Sequence, residues 1–268
     1  MIVTCGEALV DLLPEMVGGE FFYRPVLGGS LYTVALGIAR LGGSSGYLWE
    51  LSSDDLGQRF RAELTRAGVD CTAVRTSERA SPVAVIDMSG PEPRYNIADP
   101  DGVMRDTALA PLPASAACLQ IGSAVLAVDP VGAAIEALAA TAPFVTIDYN
   151  VRAPSIVDRD AYCARLRRIG SSSGIVKASV ADIHMLGEGD PEAYMDDLID
   201  SGAAAAVLTL GGDGALIRTA TQSAQVESRA HKVVDPVGAG DSFMAALLYR
   251  LQADGALSKE ALCQYRSR

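Results

Sequence analysis

Residues 233–251 read Val-Val-Asp-Pro-Val-Gly-Ala-Gly-Asp-Ser-Phe-Met-Ala-Ala-Leu-Leu-Tyr-Arg-Leu, a strand end, a glycine loop, an acid and a helix start in one stretch. Gly238 and Gly240 can take backbone angles closed to other residues, so the amides of Gly238, Ala239, Gly240 and Asp241 can turn inward around one point and attract an anion. From Ser242 onward Phe243, Met244, Leu247, Leu248 and Leu251 recur at helical spacing, which puts the positive end of a helix dipole behind the loop. A carboxylate beside an anion site repels the ligand unless it has a separate task. Asp241 is placed to orient a hydroxyl and take its proton as that hydroxyl attacks phosphorus. A plainer reading fits the same residues: Asp241 or Ser242 caps the helix and the glycines only make a turn.

The rest of the chain bounds the setting. Its 268 residues are 49% hydrophobic, enough for one main core. A net charge of -11 and a pI near 4.6 argue against a nucleic-acid or anionic-membrane surface, both of which demand a basic footprint. A nucleotide would then need local organisation by amides, a few cations and a divalent ion, which fits a Mg-nucleotide. Cys5, Cys71, Cys118, Cys163 and Cys263 are scattered and odd in number, suggesting neither a disulfide framework nor a zinc site but thiols in a reducing compartment. No basic leader or membrane-length apolar run is present, and the expected location is cytoplasmic.

Patterning outward from the loop predicts an α/β chain. A β-rich run at 2–5 leads into Gly6-Glu7-Ala8-Leu9-Val10-Asp11, whose two acids are either surface residues or the edge of a site. Gly28-Gly29-Ser30 precedes Leu31, Val34, Ala35, Ile38 and Leu41, predicting a helix with Ser30 as N-cap and Gly42-Gly43 as its stop. A strand at 47–51, a helix from about 54 to 67 closed by Gly68, buried strands at 144–148 and 203–210 and another at 215–218 continue the alternation. The implied architecture is a mainly parallel central sheet with helices on both faces. Residues 21–24, 81–87 and 94–97 fall outside this rhythm and read as strands of a peripheral hairpin. Tyr149-Asn150-Val151-Arg152 emerges at a strand's carboxyl end, where α/β sheets gather ligands. Lys177 reads as a surface lysine or as a cation beside a nucleotide, and Gly211-Gly212-Asp213-Gly214 as a hairpin turn. His184 in a helix and His231 in a loop have no metal-like neighbours in sequence.

The motif Asp235-Pro-Val-Gly-Ala-Gly-Asp241-Ser-Phe resembles the C-terminal signature of the ribokinase-like (PfkB-type) carbohydrate kinases, with Pro236 where Thr is usual. The resemblance runs from Gly6 to Leu248 in the family's motif order. It implies ATP-dependent phosphorylation of a sugar hydroxyl, with Asp241 as base and Gly238, Ala239 and Gly240 as the anion hole. The opening Gly-Glu-x-Leu-x-Asp is of the fructokinase-like kind and gives Asp11 to the sugar, together with Gly28 and Gly29 and with Thr33 where the family has Asn. The family's Asp-x-Asn-x-Arg matches Asp148, Asn150 and Arg152, with Asn150 toward substrate and Arg152 toward substrate or the transferring phosphoryl group. Ser179-x-x-Asp182 replaces Asn-x-x-Glu, which implies nucleotide contact at Ser179 and Lys177 and a Mg ion held through water by Asp182. Thr209, Gly211 and Gly214 match the family's Thr-x-Gly-x-x-Gly beside the nucleotide phosphates.

The same resemblance implies one ribokinase-like domain over 1–268, with lid strands at about 14–27 and 80–98, and leaves open a homodimer through that lid. It also leads one to expect a further helix, beyond the chain's end, that walls the adenine site and helps hold a monovalent cation. Other readings within the family are a ketodeoxygluconate or nucleoside kinase; outside it stands a non-catalytic sugar- or nucleotide-binding protein. Dinucleotide dehydrogenases and P-loop enzymes are disfavoured because Gly-x-Gly-x-x-Gly after the first strand and Gly-x-x-x-x-Gly-Lys are absent.

Overall fold

The computed structural model describes residues 1–90, 93–229 and 237–264. His231 and the first part of the signature, including Asp235 and Pro236, lie outside them. In chain order the elements are β1 (Ile2–Cys5), β2 (Leu9–Val17), β3 (Glu20–Gly28), α1 (Ser30–Arg40), β4 (Ser45–Leu48), β5 (Glu50–Ser52), α2 (Asp55–Ala67), β6 (Arg75–Ser77), β7 (Val83–Asp87), β8 (Arg94–Ala98) and β9 (Cys118–Gly122). Then follow α3 (Val131–Ala139), β10 (Val145–Asp148), α4 (Arg159–Ser172), β11 (Ile175–Ser179), α5 (Val180–Met185), α6 (Pro191–Asp200), β12 (Ala205–Thr209), β13 (Ala215–Arg218), β14 (Ser223–Val226), α7 (Ala239–Ala253) and α8 (Lys259–Gln264).

The main sheet has the order β14-β13-β12-β11-β10-β9-β1-β4, parallel from β12 to β4 and antiparallel at β13 and β14. Its parallel strands are buried on both faces, and successive residues serve different cores. Val3, Leu119, Ile147 and Val176 pack with α3, α4 and α6, while Ile2, Cys118, Ile175 and Val207 pack with α7. Helices α1 and α7 approach closely because Gly37 has no side chain: a Cβ there would stand 2.6 Å from that of Ala245. Asp54 caps α2 by accepting from Gly57 N, and Gly68 closes it in the left-handed conformation at φ 83, the stop that the sequence pattern predicts. No helix among the described residues is long and apolar enough to cross a membrane.

Three local expectations differ. The predicted strand at 47–51 is two: β4 stays in the main sheet, and past Trp49 the chain leaves it so that β5 pairs with β6. Ser30 is not the N-cap of α1; Gly29 is, at φ 101 and without a side-chain cap, and the Ser30 hydroxyl is engaged elsewhere. The small sheet, β3-β2-β7-β8, begins at Leu9 rather than near 14, so Asp11 lies on one of its strands. Pro14 is tolerated inside β2 because pairing with β7 covers only Val10 to Leu12, and beyond that point this edge of β2 carries no ladder.

Candidate active site

The small sheet is joined to the main sheet through two short links, Gly6-Glu7-Ala8 between β1 and β2, and Gly29 between β3 and α1. These links touch. A Cβ on Gly29 would lie 2.3 Å from the Glu7 carbonyl oxygen, and one on Gly28 would lie 2.2 Å from Oδ2 of Asp11. Only glycines let the two strands meet here with Asp11 turned inward. Asp11 is 7% exposed and its Oδ1 has no partner among the described residues; Glu7 is 2% exposed and its Oε2 has none among them either. Two buried carboxylates with orphaned oxygens mark a place built to receive hydroxyl donors.

Facing them is the N-terminus of α7. Gly238 takes the left-handed conformation at φ 76, and nothing among the described residues lies within 4 Å of where its Cβ would be. The first intrahelical bond runs from Ser242 N to Gly238 O at 2.8 Å. The amides of Ala239, Gly240 and Asp241 therefore belong to the first turn, whose N–H groups have no acceptor within the helix. Asp241 looks into the cleft from this turn, where Ser30 Oγ donates to its Oδ1 at 2.6 Å. Surrounding protein strips most of its water, which raises its pKa; the Ser30 hydrogen bond and the charges of Lys177 and Arg152 pull the other way.

Lys177 is no surface lysine. It is 3% exposed, and its Nζ bonds both oxygens of Asp148, at 2.9 and 2.8 Å. That ammonium also sits directly under the helix start, 3.1 Å from where a Cβ on Gly240 would be. Gly240 is thus small because a lysine head lies beneath it. Burial works against the ammonium, but the Asp148 carboxylate outweighs it and holds Lys177 charged. Arg152, at the end of the loop after β10, stacks over the ring of Tyr95 on β8 with its guanidinium carbon 4.2 Å from the centroid. This contact ties the small sheet to the main one across the cleft.

The remaining expected residues divide. Ser179 and Thr209 are register partners at the carboxyl ends of β11 and β12. Asn150, at φ 40, makes the turn between Asp148 and Arg152. Thr33 lies one turn beyond Ser30 on α1 and, with Ser242, lines a cleft of about 330 Å³. Gly211 has open space where its Cβ would be, so a ligand can approach it. Gly214 does not: a Cβ would meet the Val226 carbonyl oxygen at 1.9 Å, and the residue is a glycine for the sake of β14. Asp182 closes a capping box with Ser179 and also accepts from Val151 N at 2.6 Å, so both its oxygens hold the corner together. No group of three or more His, Cys, Asp or Glu side chains among the described residues is arranged to hold a metal ion. A larger groove of about 730 Å³ beside α2 contains none of these residues.

Glu7, Ser30 and Tyr95 were given no ligand or catalytic role by the sequence. Burial pushes Glu7 up to about 7, against a hydrogen bond from Ser123 and the charge of Arg152. The folded protein therefore keeps a proton that the unfolded chain releases near 4.5. Glu7's contribution to stability is complete below that pH and is lost as pH rises through about 7, a difference of about 3 kcal/mol. Glu7→Gln is accordingly expected to leave stability nearly unchanged near pH 4.5 and to raise it by roughly 1–3 kcal/mol near pH 8. Urea unfolding at the two pH values checks this, and an equal effect at both contradicts it.

Comparison with known proteins agrees with this geometry. The model of the pfkB family of carbohydrate kinases matches residues 5–265. A fructokinase from Rhizobium leguminosarum bv. trifolii is 32% identical over 97% of this chain and 82% of its own length. A fructokinase from Vibrio cholerae, solved with fructose, ADP and potassium ion, superposes with a TM-score of 0.81 at 26% identity, covering 97% of this chain and 88% of its own. Aminoimidazole riboside kinase from Salmonella enterica, solved with its riboside and an ATP analogue, gives 0.80 at 27% identity, covering 98% and 90%. The chain belongs to the pfkB family of carbohydrate kinases and is an ATP-dependent sugar kinase.

Proposed function

We propose that the enzyme is a fructokinase in which Asp241 takes the proton of a sugar's primary hydroxyl as that oxygen attacks the γ-phosphorus of ATP and ADP departs. The observation that carries this reading is the placement of Asp241 in the first turn of α7, over the Lys177 ammonium and opposite the orphaned oxygens of Asp11 and Glu7. The sugar would lie between Asp11, the Gly28–Gly29 link and Asp241, with Asn150 and Thr33 at its margins. The γ-phosphoryl group would lie against the amides of residues 238–241, where positive charge is fixed before the reaction begins. Arg152, poised on Tyr95, would reach the equatorial oxygens as the small sheet closes and excludes water.

Nucleotide phosphates would run from the α7 turn past Ser179, Thr209 and Gly211. A Mg ion bound with the nucleotide would neutralise phosphate charge, and such an ion needs few direct protein ligands. With the Asp182 oxygens bonded to main-chain and Ser179 donors, the ion would ride on the nucleotide rather than in a protein cage. A monovalent cation beside the nucleotide belongs to the same proposal, supported by the potassium ion bound in the Vibrio cholerae fructokinase. Five free thiols fit a cytoplasmic location. A homodimer through the small sheet belongs to the same proposal, since Met16, Phe21, Phe22 and Tyr23 stand exposed on it.

Fructose is preferred because the relatives above include two fructokinases. The riboside kinase neighbour supports a second reading, a nucleoside acceptor. Coupled detection of ADP across fructose, ketodeoxygluconate, ribose and a nucleoside tests both. The highest kcat/KM is expected with fructose; ADP release with none of these sugars, together with sugar-induced melting shifts, would favour a binding protein instead.

A further inference from the structure

Asp241 is held at the meeting point of several charged groups. Lys177 on β11 and Arg152 after β10 face it as cations, while Asp148 on β10, Asp11 on β2 and Glu7 before β2 face it as acids. One further group touches it, and that group is neutral. Ser30 is 7% exposed, is the first residue of α1, and spends its hydroxyl on Asp241 Oδ1 at 2.6 Å rather than on its own helix, whose N-cap is Gly29. The two residues lie 211 positions apart in sequence. The gap between their helices is set by the close contact at Gly37 and Ala245, so the donor cannot drift from its acceptor.

We propose that Ser30 is the positioning residue that keeps Asp241 aimed and ionised for proton transfer, a role that rests on the reading of Asp241 as base. The hydroxyl ties down Oδ1 and thereby turns Oδ2 toward the sugar. Because it donates to the carboxylate, it favours the charged form over the neutral one, against the burial that favours the neutral form. The sugar-contacting link Gly28–Gly29 is the segment immediately before it, so the residues that seat the substrate and the residue that readies the base are one piece of chain. The serine itself exchanges no atom with the substrate; its hydrogen stays on Oγ throughout.

The test compares wild type, Ser30→Ala, Ser30→Thr and Asp241→Asn by kcat against pH at saturating fructose and Mg-ATP, between about pH 5.5 and 9. An ionised base is needed, so activity falls as pH drops through its pKa. Removing the donor raises that pKa, and the acid limb of S30A is expected to move up by about one pH unit. Turnover on the falling acid limb then drops by up to about tenfold, recovers toward wild type near pH 9, and KM for fructose changes little. S30T, which keeps the hydroxyl, is expected to restore the wild-type limb. A loss in S30A that is equal at every pH, or an unmoved limb, overturns the proposal. Should S30A fail to fold, Ser30→Cys replaces it, and its weaker donor is expected to give a smaller upward shift; no shift has the same consequence. Activity retained in D241N would instead sink the base assignment, whereas inactive D241N beside an unmoved S30A limb sinks only the role of Ser30.

Discussion

Asp241→Asn is expected to lower kcat by about three orders of magnitude, the range that a positioned general base supplies. The variant is a mild one structurally. Asn keeps an Oδ1 acceptor for the Ser30 hydroxyl, so the contact between the starts of α1 and α7 survives and folding should be undisturbed. What disappears is the site for the sugar's proton. What also disappears is a negative charge beside an anion-binding turn, so ADP should bind as tightly as before or somewhat more tightly. Isothermal titration with ADP and steady-state turnover with fructose separate these effects. Loss of nucleotide binding in parallel with kcat would show that Asp241 serves the fold or the nucleotide rather than the proton.

Lys177→Met is expected to be the most damaging single change to stability. It leaves Asp148, 1% exposed and bonded through both oxygens to the lost ammonium, as a buried charge without a partner. Breaking one half of such a pair costs about 3–5 kcal/mol. The double change Lys177→Met with Asp148→Asn removes both charges and should recover most of that loss. Its kcat should nevertheless stay low, because the cation under Gly240 that supports both the anion turn and the ionised Asp241 is gone. Urea unfolding and turnover measured on both variants resolve the two roles. A single variant within about 1 kcal/mol of wild type would mean that the pair is not what holds this corner together.

Sequence reading reached the fold through local rules that the tertiary structure respects. The alternation of apolar strands and helices and the left-handed stop at Gly68 are set by residues adjacent in the chain. The loop and helix start around Asp241 were legible for the same reason. Ser30 was misread because Gly-Gly-Ser before an apolar helical run satisfies the capping rule, while its actual partner lies 211 residues away. One signal was available: Ser30, Thr33 and Gly37 form a stripe of small residues on α1, the kind of face another helix approaches.

Acids and glycines fared unevenly. Nothing in Gly6-Glu7-Ala8 distinguishes a buried acid from an exposed one; burial follows from the contact of this link with Gly29, which only the folded topology supplies. Asp182 shows the opposite case. Its place three residues after Ser179 is a capping box on local grounds, and the structure adds the bond from Val151 N that completes its duties. Gly214 likewise matches a phosphate-loop pattern, yet its lack of a side chain is explained by the strand that passes beside it.

The central claim is that one turn of α7 holds transferred phosphoryl charge while its aspartate faces the attacking alcohol. A crystal structure of the enzyme with fructose, ADP, Mg and aluminium fluoride addresses it most directly. The account predicts the planar fluoride anion against the amides of residues 239–241 and the sugar's primary oxygen within about 2.6–3.2 Å of Asp241 Oδ2. An anion bound away from that turn, or an Asp241 carboxylate out of reach of every sugar oxygen, would contradict it.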